Sequence, residues 1–279
     1  VSKLEDLCWK LRRKYFPPEV KYGQNDSDET LATRLKNPVF LEKYGFKVFS
    51  QYDEDGIIEE IFNRIGEKSK VFIEFGVENG LESNAHFLLH KGWSGLWLEG
   101  SKKYCKIIQK LFAKPVSLQK LTVKNCFITA ENIDKIISEY LRSKNLDVKE
   151  DTVDLLSIDI DGNDYWVFKA IEVIKPRVIV IEYNSKFPPN LEWVMQYDAK
   201  HLWEKDDNMG ASLKSFELLG RQKGYQLVGT SCTGVNAFFV RNDLAKNLFA
   251  TPATSENLYN PPRWGIRYFS GQPSKKFIG

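Results

Sequence analysis

Four oxygen-bearing side chains stand at the ends of two apolar runs in the second half of the chain. Asp159 and Asp161 close Leu155-Leu156-Ser157-Ile158, and Glu182 and Asn184 close Val178-Ile179-Val180-Ile181. Carboxylates at a buried strand end are costly to desolvate unless a cation or polar ligand meets them. Such a set could accept a proton from a hydroxyl, or hold Mg²⁺ with several waters retained. A second pair lies upstream. Val71-Phe72-Ile73 leads into Glu74 and a turn bounded by Gly76 and Gly80, and Leu96-Trp97-Leu98 leads into Glu99, 23 residues after Gly76. Glycine lets a ligand approach a sharply turning backbone. An acid about 20 residues beyond such a turn ends the second strand of a doubly wound sheet, where it holds ribose hydroxyls. Together the two acids and the turn make a nucleoside site; a plain acid–glycine turn and a solvated strand end are the competing readings.

The turn lacks the dinucleotide pattern. Glu78 stands two residues after Gly76, where the G-x-G-x-x-G fingerprint needs glycine, and Glu82 follows. These charges repel a pyrophosphate and tolerate a ligand carrying sulfonium and ammonium groups. At these residues the sequence resembles the class I S-adenosylmethionine-dependent methyltransferases, and within them the FkbM-like group. The resemblance rests on SQYDEDGII (50–58), FIEFGVENGLESN (72–84), GLWLEG (95–100), LLSIDIDGNDYW (155–166) and VIVIEYN (178–184), and covers roughly residues 48–243. It implies S-adenosylmethionine as cofactor, with Glu74, Gly76, Asn84 and Glu99 among its contacts, Gln51 on a segment bordering it and Asn125 beside the adenine. Some cation-dependent O-methyltransferases place a metal at the same two strand ends, which implies Mg²⁺ on Asp161, Glu182 and Asn184. Two departures stand out: Glu182 replaces the usual Asp, and Glu78 replaces an Asn common among relatives. The implied reaction is methyl transfer to oxygen, or to nitrogen, of a small polar acceptor such as a sugar or glycan precursor, with Asp159, Asp161 and His201 as catalytic residues. A nicotinamide-dependent oxidoreductase and a non-catalytic ligand-binding protein are the alternatives. Ile160-Asp161-Gly162-Asn163 stands where methyltransferases of base amines carry a D/N-P-P-Y/F motif, which disfavours base-flipping nucleic-acid methylation.

The elements that must position these groups follow from periodicity. The expected fold is an α/β, doubly wound, Rossmann-like seven-stranded methyltransferase sheet with an antiparallel last strand. Residues 1–47 read as an N-terminal helical extension, with a basic amphipathic helix from Leu4 to Tyr15, and 244–279 as a C-terminal flap or strap. Residues 185–209, with Trp193, Tyr197, His201 and Trp203, are too long for a plain connection and read as a lid insertion into the 48–243 domain. Asp53 or Asp55 is placed to cap the helix after it, and a second helix is expected from Glu82 to His90. His86 and His90 have metal-ligand spacing but no third ligand nearby, so they read as packing.

Composition sets the remaining bounds. A chain of 279 residues, 42% hydrophobic, has ample core for one large domain. Its 40 basic and 37 acidic residues nearly balance, so no nucleic-acid partner is expected. The four scattered cysteines form no C-x-x-C pair, and neither a membrane span nor a signal-peptide pattern is evident, so a cytoplasmic setting is expected. Oligomeric state is not legible.

Overall fold

The structure, a computed structural model, describes residues 27–147, 151–204 and 206–264, with side chains from residue 30 onward. The basic helix expected at Leu4–Tyr15 lies outside these residues. The strands are β1 Val71–Phe75, β2 Ser94–Glu99, β3 Leu121–Asn125, β4 Leu155–Ile158, β5 Val178–Glu182, β6 Tyr225–Thr230 and β7 Asn236–Arg241. They form a single sheet in the order β3-β2-β1-β4-β5-β7-β6. The first five are parallel, and β7 runs antiparallel to both β5 and β6. This is the expected Rossmann-like methyltransferase sheet. Strand order reverses between β1 and β4, so a crevice opens at their carboxyl ends.

Alternation along β1 explains the layers. Val71, Ile73 and Phe75 face one side, where Ile133 and Ile137, Phe168, and Phe216 come from three successive helices. Phe72 and its neighbour Trp97 face the other, against Ile57 and Ile61 of helix Glu54–Ile65 and Ile108 of helix Lys102–Leu111. A period of two sends successive side chains to opposite faces, and burial on both faces is why the strands read as continuous apolar runs. Each such aromatic, fully buried, contributes about 1.5–3 kcal/mol. Among the described residues no helix is long and apolar enough to cross a membrane.

One helix is shorter than expected and one strand ends where it does for the same reason, a carboxylate that takes backbone N–H groups. The helix expected from Glu82 begins at His86, since the N–H groups of Asn84 and Ala85 turn to Glu74. β4 stops at Ile158, since the N–H groups of Ile160 and Gly162 both donate to Asp164, each at 2.9 Å.

Beyond the sheet, the segments at either end of the described chain meet. Arg34 donates to Glu42 (3.2 Å) and to the Tyr259 carbonyl (3.0 Å), and the Asn260 amide donates to Glu42 and to Thr230 (both 3.0 Å). Tyr183, just past β5, donates its hydroxyl to the Asn260 carbonyl at 2.6 Å.

Candidate active site

The glycine turn wedges between three strands. Gly76 has φ +71°, donates its N–H to the Leu98 carbonyl (3.0 Å), and lies so close to the Asp159 carbonyl oxygen that a Cβ would collide with it. No side chain fits there. Glu78, at φ +47°, donates its N–H to one Glu99 carboxylate oxygen (2.8 Å), and Ser101 donates to the other (2.6 Å). Glu99 is thus fixed beside the turn. Burial raises its pKa, and the charges of Glu78 and Asp161 add to the rise. Asn125, exposed at the next strand end, donates its amide to the Glu99 and Gly100 carbonyls (2.8 and 2.9 Å).

Glu74 is turned inward. Its carboxylate accepts from the Ser83 hydroxyl (2.6 Å), the N–H groups of Asn84 (2.7 Å) and Ala85 (3.2 Å), and the Trp97 indole (2.9 Å). Four donors hold a buried acid whose pKa burial would otherwise raise further. Its role in the structure is to shape the 83–85 loop, and Asn84 ties that loop to β4 through Ser157 (3.1 Å). Gln51 is exposed, its carbonyl accepting from Lys47 (3.0 Å). The segment before it is clamped by Asp55, which accepts from the N–H groups of Val48, Phe49 and Ser50 (2.7, 2.6 and 2.9 Å). Neither Asp53 nor Asp55 is seen capping helix Glu54–Ile65; Ser50 accepts the Asp55 N–H instead, and Asp53 accepts from Cys232 (2.9 Å). His86 stacks on Phe49 at 3.9 Å between ring centres, and burial lowers its pKa to about 4, as a packed neutral imidazole requires.

Asp159, Asp161 and Glu182 each bring a carboxylate oxygen within 4.8 Å of the others, with Asp159 and Glu182 half-buried and Asp161 exposed. Desolvation raises the pKa of all three; Asp159 and Glu182 are pushed well up, with the charges of Asp161 and Asp164 adding to both rises and that of Asp159 adding to the rise at Glu182. One oxygen of Glu182 is buried with no hydrogen-bond partner. Among the described residues no ion pair involves Glu54, Glu74, Glu99, Asp159, Asp161, Asp164 or Glu182. Crowded carboxyls of this kind retain a proton or accept a cation. Asn184 does not join them: its amide N–H₂ donates to the Asp207 and Met209 carbonyls (2.9 and 3.3 Å), and its oxygen accepts from Lys186 (3.3 Å).

The 185–209 segment folds back over this corner. Gly210 donates to the Gly162 carbonyl (2.9 Å), the Asn163 amide to the Asp198 carbonyl (2.7 Å), and the Trp166 indole to the Met195 carbonyl (2.7 Å). Tyr197 reaches further, donating to Glu131 at 2.6 Å. These ties set the His201 ring against Gly162, where a Cβ would collide with it, and beside Asp161. The His201 Nε2 is buried and without a partner. Trp193 stacks on Phe187 (4.4 Å), while Trp203 remains 46% exposed. Two surface cavities, one at Arg221, Tyr225 and Thr254 and the other at Tyr165, Trp193 and Leu219, are lined by none of the strand-tip acids.

Three contributors escaped the sequence reading. Glu54 adds its charge to Asp159, Gly162 makes room for His201, and Asn163 holds the segment that carries it. The run Asp53-Glu54-Asp55 was visible as a signal, since three consecutive acids opening an apolar helix exceed what one cap needs.

Neither a family model nor a curated relative matches the chain. Among solved structures it is similar to the glycopeptide N-methyltransferase MtfA complexed with sinefungin (TM-score 0.41, 14% identity, over 77% of this chain and 96% of that one). It is also similar to an O-methyltransferase from Bacillus cereus in complex with SAH (TM-score 0.41, 14% identity, 82% and 94%). A structure from Galdieria sulphuraria is matched at TM-score 0.31 and 20% identity over 44% of this chain, which spans only 42% of that one. Likenesses of this strength say nothing of chemistry, which rests on the residues themselves.

Proposed function

We propose that the chain is an S-adenosylmethionine-dependent methyltransferase of the FkbM-like kind, acting on oxygen of a small polar acceptor such as a sugar or glycan precursor. The observation that carries this reading is the carboxyl edge of the sheet. There a glycine turn is pressed onto Asp159, Glu99 is held by two N–H groups, and the surrounding acids meet no paired cation among the described residues. Such a field opposes a pyrophosphate and favours a ligand bearing sulfonium and ammonium charge.

The cofactor would supply an electrophilic methyl group. Glu99 has lone pairs left for ribose hydroxyls, Asn125, bonded to the Glu99 carbonyl, and the exposed Gln51 would add polar contacts, and the loop that Glu74 shapes would present Asn84 to the amino-acid end. Displacement at a methyl group asks for in-line placement and removal of a proton, so positioning governs the rate. His201 Nε2 and the Asp159–Asp161–Glu182 carboxylates are the groups able to take that proton. The same three carboxylates would be the ligands of Mg²⁺, with Asn184 left to its loop. Within the 48–243 domain, residues 185–209 would act as the lid, with Trp193, Tyr197 and Trp203 excluding water, and the described parts of the flanks, 27–47 and 244–264, bracing it. The three described cysteines are free thiols, which suits a cytoplasmic setting.

Titration calorimetry with S-adenosylhomocysteine and with NAD tests the cofactor: binding of the first alone supports the reading, and binding of NAD alone replaces it with an oxidoreductase. Methyl transfer to a panel of sugars, sugar nucleotides and amines, with Mg²⁺ and with chelator, tests the reaction. Turnover lost on chelation and restored by Mg²⁺ supports the metal; unchanged turnover leaves His201 or a carboxylate as the base. Turnover on amines only overturns the oxygen assignment.

A further inference from the structure

The near balance of charge in the whole chain hides a segregation. From Ser101 to Ala130 there are seven lysines (Lys102, Lys103, Lys106, Lys110, Lys114, Lys120 and Lys124) and no Asp, Glu or Arg. The chain as a whole carries +3, so the remainder is net negative by four. Helix Lys102–Leu111 buries Cys105 and Ile108. At 3.6 residues per turn, that leaves Lys102, Lys106 and Lys110 on one outward stripe with Lys103 beside it. All four are exposed, as are Lys114 and Lys120 on the following turns, and none of these six takes part in an ion pair among the described residues. Only Lys124 is paired, with Glu139 at 2.8 Å. Lys144 leans in from the next helix, its ammonium 3.2 Å from the Gln119 carbonyl. Glu78 and Glu99 act on Tyr104 at the first turn of this helix, on the side of the candidate site. Set among the lysines are two outward leucines, Leu111 at 53% and Leu118 at 59% exposure. β3, which packs against both helices of this region, is the outermost strand, so the face is unobstructed by further sheet.

We infer that this face docks on an anionic phospholipid surface. Six unpaired lysines supply a one-signed field that falls off within a Debye length, so it acts at close contact and is screened by salt. Lysine is a flexible point charge, suited to a fluid array of headgroups, whereas nucleic-acid surfaces lean on Arg forks and on aromatics that stack on bases. Leucine cannot stack on a base; it enters an acyl boundary. The inference is independent of the methyl-transfer reading, and its test needs no acceptor.

The experiment is flotation of the full chain with phosphatidylcholine vesicles, with and without phosphatidylserine, at low and high salt. Binding is expected only to the phosphatidylserine vesicles, and it should weaken on raising salt. The triple variant Lys102→Glu/Lys106→Glu/Lys110→Glu should bind at least ~10-fold more weakly, and Lys→Gln at the same positions should lose an intermediate amount. Leu111→Ser/Leu118→Ser should weaken binding at unchanged charge. These exposed substitutions should leave the circular dichroism spectrum as it is. Equal binding to neutral vesicles, or no binding by the unaltered chain, overturns the inference. Undiminished binding by the triple variant does so too, and assigns the attraction to another part of the chain. Binding to polyuridylate RNA but not to vesicles would make the face a nucleic-acid surface instead.

Discussion

At Gly76 one methyl group is enough to break the candidate site. The residue sits at φ +71° with the Asp159 carbonyl where a Cβ would go, so Gly76→Ala meets left-handed strain and a backbone collision at once. Left-handed strain alone is about 1–2 kcal/mol, and the displaced backbone adds to it. Urea denaturation should show a loss of at least ~2 kcal/mol, with nucleoside binding gone; a loss below that would mean the turn can yield without disturbing β4. Asp53 makes a prediction of a different kind. Burial, with the charge of Glu54, raises its pKa from 3.8 to about 7. A raised folded-state pKa means that the native chain holds a proton the unfolded chain has released. The stability linked to that proton is fully present below about pH 4 and is lost as pH rises through about 7. Asp53→Asn can still accept the Cys232 N–H but does not titrate, so its stability should fall less steeply across that window. Denaturation at several pH values checks this; an unchanged slope would place the titration elsewhere.

At the scale of elements, carboxylates do work that regular secondary structure would otherwise do. Asp55 gathers three backbone N–H groups from residues 48–50, Asp164 gathers two from the β4 exit, and Glu74 gathers two from the loop at 84–85. Loops at the carboxyl edge are therefore fixed without being helices or strands. Asp55→Ala should leave three N–H groups without their acceptor at a cost of about 2–4 kcal/mol, read by urea denaturation. Asp55→Asn, retaining one acceptor oxygen, should recover part of it. If both variants are near neutral, the 48–50 segment is not held by this carboxylate.

At the scale of the molecule, the two ends of the described chain are joined through one buried cluster. Arg34 and Glu42 come from before the sheet, Asn260 and Arg263 from after it, and Thr230 from β6. The Arg34 and Glu42 side chains are only 7% and 0% exposed. Burial raises the Glu42 pKa and Arg34 opposes the rise, so the Arg34 guanidinium is what offsets this buried carboxylate. Removing one partner of a buried pair strands the other, and Arg34→Ala should destabilise the chain by about 3–5 kcal/mol. Arg34→Ala/Glu42→Gln should recover part of that loss; an equal loss in both would mean packing, not charge, is what Arg34 contributes. Thermal denaturation of the three proteins decides it.

The sheet is written in local patterning. Strand identity follows from short-range periodicity, and the strand tips carry glycine and acid at spacings that local chemistry constrains, so a seven-stranded sheet with an antiparallel last strand was legible, as was the placing of Gly76 and Glu99 at adjacent strand ends. The run of lysines stands in the sequence behind an overall charge balance, but that it lies exposed beside the outermost strand is a fact of the fold. Which groups meet is settled by the folded chain alone. Glu74 and Glu99 both lie near the tips of adjacent strands, yet Glu74, one residue short of the end of β1, is closed over by Trp97 and Ser83 and fastens a loop, whereas Glu99, the last residue of β2, faces the turn. Asn184 lies two residues from Glu182 but turns its amide to the 207–209 backbone, whereas His201, nineteen residues beyond Glu182, comes to rest on Gly162. Periodicity fixes the face a side chain leaves from. Its partner is set by the path of irregular segments, and that path depends on hydrogen bonds among residues far apart in the chain.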